Sequence, residues 1–258
     1  MSYDGTAYYG WESQISQNLP TIQQTIENAL FQITGQPIAI FCAGRTDAGV
    51  HAFEQVAHLD LESLNIKKIV GRNFLENDWE KTLSFILRYK LNCLLPDDIV
   101  IKKICLVNLD FDARRSAISR TYKYYISNNI AERQASYSRY CLWVNEELKI
   151  DFMNESVQPL IGQHDFISFI KPRLKQTTIR DLHFFQFEYN KKTSLIEATI
   201  KANAFAHNMV RCLVGACLLI GKGKRQPHWL LESLLAKKRK ASLGPAPAKG
   251  LFLHAVEY

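Results

Sequence analysis

The stretch Ala43-Gly44-Arg45-Thr46-Asp47-Ala48-Gly49-Val50-His51-Ala52 decides how the rest of the chain is read. Two glycines bracket an Arg-Thr-Asp triplet directly after the apolar run Ile38 to Cys42, which reads as a short strand. Glycine permits tight turning and close backbone approach. A loop of this kind can push a carboxylate and a guanidinium into a cleft together. The same composition also suits a surface turn with a local Asp–Arg ion pair, since G-x-x-D-x-G turns are common.

Working outward from the loop, Thr21 opens a helix. Gln24 stands three residues on, as in a capping box, and Ile22, Ile26, Ala29, Leu30 and Ile33 recur at helical spacing up to Gly35. On the other side, Gln55 to Asp60 reads as a strand and Leu61 to Asn77 as a loop or short excursion. Trp79 to Leu94 suits a helix with a broad apolar face, closed by Pro96, and Ile99 to Leu109 reads as a strand. The pattern breaks at Phe111 to Ser116, which predicts a boundary between a domain 1–110 and a domain 111–258.

In the second half, Ser119 to Ser127 alternates, with Arg120, Tyr122, Tyr124 and Ile126 on one face. Glu146 to Ile161 is predicted helical. Thr177 to Tyr189 and Ser194 to Ala204 read as paired strands. His207 to Ile220 is apolar nearly all round and predicts a buried helix ending at Gly221. Trp229 to Lys238 predicts a further helix and Leu251 to Tyr258 a last strand. The irregular alternation excludes a parallel doubly wound sheet and gives an α+β class in two halves.

The 258 residues carry a net charge of +7, with 47% hydrophobic and 22% charged residues. That balance describes a globular chain and favours an anionic partner, nucleic acid first and an anionic membrane surface second. Basic clusters stand at Arg114-Arg115, Lys171 to Lys175, Lys222 to Arg225 and Lys237 to Lys240. The six cysteines show neither C-x-x-C pairs nor metal spacing, and read as reduced thiols of a cytoplasmic protein. The N-terminus is not patterned as a signal peptide, and no apolar run is long enough to span a membrane.

From Gly44 to Ala52 the loop resembles, without a gap, the G-R-T-D-x-G-V-H-A loop of the tRNA pseudouridine synthases of the TruA type. Other blocks carry the resemblance in order. They are Tyr3-Asp4-Gly5-Thr6 with Tyr9-Gly10-Trp11, Leu91-Asn92 with Leu95-Pro96 and Asp98-Ile99, and Phe111-Asp112-Ala113-Arg114 with Arg120-Thr121-Tyr122-Lys123-Tyr124. His164-Asp165-Phe166, Met209-Val210-Arg211 with Gly215, and Ala246-Pro247 with Gly250-Leu251 complete the series. The chain departs from the family at Glu12, where glutamine is common, and begins only two residues before Tyr3, which makes the first strand look clipped.

The resemblance implies an α+β fold of two RRM-like (ferredoxin-like) halves sharing a continuous antiparallel sheet with flanking helices and an active cleft between them. It implies Asp47 as the catalytic carboxylate, Tyr122 as the tyrosine that stacks on the target base, and Arg211 as the basic partner of the aspartate. Arg45 would act in base flipping, with Thr46 and Leu251 at the substrate. It further implies conversion of uridine to pseudouridine at positions 38, 39 and 40 of the tRNA anticodon stem-loop, a homodimer, and neither cofactor nor metal. Two rivals share these residues: a catalytically silent tRNA binder, and an N-glycosidase that releases uracil. Asp4 and Trp11 are expected to support the loop, and His51 and His58 to serve structure or RNA contact.

Overall fold

The computed structural model describes residues 1–14, 19–71, 79–129, 131, 133–170, 177–238 and 242–258. The basic cluster at 171–175 and residues 239 and 240 of the last cluster lie outside them, as does 72–77 of the segment read as a loop. The chain forms two compact units, Met1–Ala117 with Tyr258, and Ile118–Glu257.

In the first unit, α1 (Ile22–Thr34) is set by its ends. Thr21 has extended backbone and its hydroxyl accepts from the Gln24 N–H at 3.3 Å. Gly35 takes a φ of 70°, and its N–H donates to the Phe31 carbonyl at 2.7 Å. Between the caps Ile22, Ile26, Ala29 and Leu30 are buried. A second helix, α2 (Ser63–Val70), forms where the sequence predicts a loop or short excursion. Its support comes from other elements: Lys68 Nζ donates to the last carbonyl of α1 (Thr34, 2.7 Å), and Lys90 Nζ of α3 (Trp79–Leu94) donates to Ile69 near the end of α2 (3.0 Å). Cations at helix C-termini satisfy orphan carbonyls and oppose the helix dipole.

The apolar face of α3 is narrower than predicted. Leu83, Leu87 and Leu91 are buried, whereas Phe85, Tyr89 and Leu94 are exposed. Three two-residue strands pair antiparallel in the order β5 (Ile99–Val100), β1 (Ser2–Tyr3), β3 (His51–Ala52). Strand β5 stops far short of the predicted Leu109. At Ile101 the Asn92 side-chain amide takes both backbone groups (2.8 and 3.0 Å), in place of a strand partner. Beyond it Leu106, Val107 and Leu109 are exposed. A separate ribbon joins β2 (Phe41–Cys42) to β4 (Ala57–His58), both shorter than the predicted strands.

The second unit contains a five-stranded antiparallel sheet. Its order is β11 (Leu251–Glu257), β6 (Ser119–Ser127), β10 (Leu195–Ala202), β9 (Ile179–Asn190), β8 (Gly162–Asp165). A short β7 (Leu142–Trp143) runs parallel to the end of β6. The predicted alternation of β6 holds, since Arg120, Tyr122, Tyr124 and Ile126 are all buried. Helix α5 (Met209–Gly221) is buried on nearly every side, and α4 (Ile150–Val157) lies against α5 and β9. The helix predicted over Glu146 to Ile161 is therefore shorter, with a 3₁₀ turn at Gln158–Leu160. The last helix, α6, covers His228–Leu235. Among the described residues no helix is long and apolar enough to cross a membrane.

Candidate active site

The Gly44–Gly49 loop connects β2 to β3 and is tied down on several sides. Gln55 Nε2 donates to the Gly44 carbonyl at 2.7 Å. The Thr46 hydroxyl is 2.8 Å from the Tyr3 hydroxyl, and Gln55 Nε2 reaches that same tyrosine oxygen at 3.3 Å. The Thr46 carbonyl accepts from the Trp11 N–H at 3.0 Å. The Asp47 carbonyl accepts from the Val50 N–H at 3.1 Å, across a turn in which Gly49 has a φ of 74°. Tyr3, Trp11, Thr46 and Gln55 are all buried. Gly10 is required beside them: its φ is 94°, and a Cβ there would stand 2.7 Å from the Thr46 carbonyl oxygen.

The result is a rigid bracket with Asp47 at its turn, half-buried between the buried Thr46 and the exposed Ala48. A catalytic group gains from such locking, because a small misplacement costs much of the rate. Arg45 points a half-exposed guanidinium at Glu12, 2.7 Å away. Trp11 supports the loop as expected, through its main chain. Asp4 does so at one remove: its carboxylate lies 3.0 Å from Nδ1 of the fully buried His51, to which the Gly5 N–H also approaches at 3.1 Å.

The second unit carries the other residues. Tyr122 sits mid-strand in β6, opposite Ile200 on one side and Leu253 on the other. Its ring meets the edge of Phe205 at 5.2 Å and 88°. Arg211, in the first turn of α5, is held by the Ala246 carbonyl (Nε, 2.8 Å) and the Asn208 side chain (3.1 Å), while its own carbonyl accepts from the Ala246 N–H at 2.8 Å. That clamp needs a close approach: a Cβ on Gly215 would stand 2.4 Å from the Gly244 carbonyl oxygen. Leu251 is buried at the start of β11, opposite Tyr124. Tyr124 itself donates to the Pro247 carbonyl at 2.8 Å, and burial pushes its hydroxyl well above the usual range for tyrosine.

The structure therefore brings Arg45, Thr46 and Asp47 together in the first unit, and places Tyr122, Arg211 and Leu251 in the second. Several supporting residues escape the sequence reading. Gln55, Phe205 and Asn208 stand outside any pattern that periodicity reveals, and Ala246, though part of a family block, has no role in the sequence reading. Glu12 carried a signal, its departure from the glutamine common in the resembling family.

The chain is thus an α+β protein with a glycine-framed, hydrogen-bonded loop that carries Arg45, Thr46 and Asp47. Comparison with known proteins specifies the class. A family model described as tRNA pseudouridine synthase matches residues 1–83 and 157–258. The chain is 35% identical over 285 residues to tRNA pseudouridine synthase A of Bifidobacterium longum (strain DJO10A), covering 100% of this chain and 91% of that protein. It is 39% identical over 261 residues to the protein of that name from Wigglesworthia glossinidia brevipalpis (100% and 90%), and 37% over 259 residues to that of Aliivibrio salmonicida (100% and 90%). The chain belongs to the tRNA pseudouridine synthase family, in its A-type branch.

Proposed function

We propose that this protein converts uridine to pseudouridine at positions 38, 39 and 40 of the tRNA anticodon stem-loop, with Asp47 as the catalytic carboxylate. The fixed Asp47 bracket is the observation that carries this reading. The reaction breaks the N1–C1′ bond, turns the uracil, and forms a C5–C1′ bond. C5 loses a proton and N1 gains one, so atoms and charge balance without an oxidant or a group donor, and no cofactor is called for. The ionised carboxylate can act at C1′, at C6 or on a ribose proton, and all three routes need it at one fixed place.

The family resemblance gives the remaining residues their roles, and each role has a physical reason. Tyr122 offers the flat face that holds an unstacked base. Arg211 supplies the cation that keeps Asp47 charged as water leaves. Arg45 takes the position vacated by the flipped nucleotide. Thr46, bonded to Tyr3, positions Asp47 at the substrate, and Leu251 adds apolar lining to the base pocket. The family resemblance supports two RRM-like halves, a homodimer on tRNA, and a cytoplasmic location.

The test is an unmodified tRNA transcript incubated with the purified protein, followed by carbodiimide labelling and primer extension. New stops at positions 38 to 40 support the assignment. Stops elsewhere refute the site, bound tRNA without stops gives the silent binder, and free uracil in the mixture gives the glycosidase.

A further inference from the structure

The β2–β4 ribbon carries an aromatic pair that the chemistry at Asp47 does not use. Phe41 and His58 are direct partners across the ribbon, with rings 5.3 Å apart and 26° from parallel. Phe41 is nevertheless 54% exposed. The imidazole beneath it is clamped from behind. Its Nδ1 accepts from the Ala113 N–H at 3.0 Å, and Phe111 stands edge-on at 6.3 Å. Phe111 packs on Tyr258 at 5.0 Å, and the Tyr258 hydroxyl donates to the Ala113 carbonyl at 2.8 Å. A ring stacked on so fixed a base presents its outer face to water as a flat, rigid surface.

A cationic turn adjoins this pair. Ala113, whose N–H holds the His58 ring, is followed directly by Arg114 and Arg115. Arg114 and Arg115 are exposed on a turn whose two N–H groups donate to one oxygen of Asp112, at 2.8 and 2.9 Å. A carboxylate of the same turn offsets part of this charge, since Asp112 lies 3.9 Å from Arg115. A single flat ring with guanidiniums near it is how proteins hold single-stranded nucleic acid, by stacking one base while cations take the backbone. A protein partner is instead met by a contiguous apolar patch.

We propose that Phe41, backed by His58 and next to the Arg114 turn, is a stacking platform for an unpaired tRNA base close to the target uridine. Phe41 lies six positions before Asp47, on the strand that leads into the Asp47 loop. The inference rests on tRNA being the substrate, but its test reads binding and does not depend on turnover.

The experiment measures tRNA dissociation constants over a salt series for the parent, Phe41→Ala, Phe41→Leu, Phe41→Trp and Arg114→Ala, with sedimentation of each protein. Loss of one stacked base predicts about tenfold weaker binding for Phe41→Ala and for Phe41→Leu, which keeps bulk but has no π face. Phe41→Trp returns to within about twofold of the parent, since stacking is tolerant of ring identity. The salt slope stays unchanged for the Phe41 variants and becomes shallower by about one for Arg114→Ala. Three results overturn the platform: Phe41→Leu binding like the parent, Phe41→Trp as weak as Phe41→Ala, or a weakened affinity that tracks dissociation of a dimer. The last assigns the ring to an interface between copies. A parent that binds tRNA without making pseudouridine refutes the isomerase and leaves this comparison intact.

Discussion

Removing one oxygen atom tests how the fold holds the Asp47 loop. In Tyr3→Phe the ring, tilted against Trp11 at 6.1 Å, keeps its packing. What goes is the hydroxyl shared by Thr46 at 2.8 Å and Gln55 at 3.3 Å. All three residues are buried, with relative exposures of 4%, 7% and 0%, so water does not readily replace the lost partner. A hydrogen bond contributes about 1 kcal/mol net, and a buried group left unsatisfied costs about 1–3 kcal/mol. Gln55 retains the Gly44 carbonyl at 2.7 Å, whereas the Thr46 hydroxyl loses its bond to Tyr3. The estimate is therefore about 2 kcal/mol, near the lower end of that combined range. Urea unfolding should show a lower midpoint at unchanged m. The loop also loses the tie next to Asp47, so kcat should fall about tenfold or more while tRNA affinity is kept. A variant with the parent's midpoint and the parent's kcat would refute the bracket argument.

Four further outcomes follow. Glu12→Gln frees Arg45 from a pair whose partners are both about half exposed; since such pairs contribute about 0.2–1 kcal/mol, the KM for tRNA should fall by up to about fivefold at low salt, the gain vanishing at high salt. Gly10→Ala forces a side chain into a positive φ and against the Thr46 carbonyl, so stability should drop by about 2 kcal/mol or more, with activity lost well below the melting temperature. In the native protein a thiol reagent should react quickly only with the exposed Cys93 and Cys105; Cys42, Cys141, Cys212 and Cys217 are buried and should react after denaturation. Burial pushes the Cys42 and Cys217 thiols up from 9.0 to about 12, so the stability they contribute is full below about pH 9 and is lost as pH rises toward 12, which alkaline unfolding midpoints will report.

The elements legible in the sequence are those whose cause is local. Thr21 and Gly35 bound α1 by their own cap geometry, β6 alternates because one face is buried, and α5 is apolar because it is enclosed. Helix α2 was not legible: its Ser63–Val70 segment is held by Lys68 and Lys90, acting on carbonyls 34 and 21 residues away. Strand β5 was overestimated because a side chain, Asn92, ends its pairing. The strands β1 and β3 are two residues each, too short for any period to register. The Asp47 loop could be found from its glycines and its motif. Its bracket could not, since Tyr3 and Gln55 lie 43 and 11 residues from the atoms they hold.

Release of the C5 hydrogen tests the central claim most directly, because forming the C5–C1′ bond expels it and breaking N1–C1′ alone does not. A tRNA transcript carrying tritium at C5 of its uridines, incubated with the protein, should release tritium to water in step with pseudouridine formed. Asp47→Asn should bind the same tRNA and release none. Tritium freed by Asp47→Asn at a rate near the parent's would contradict the role of Asp47, and a parent that releases uracil but no tritium would contradict the isomerisation itself.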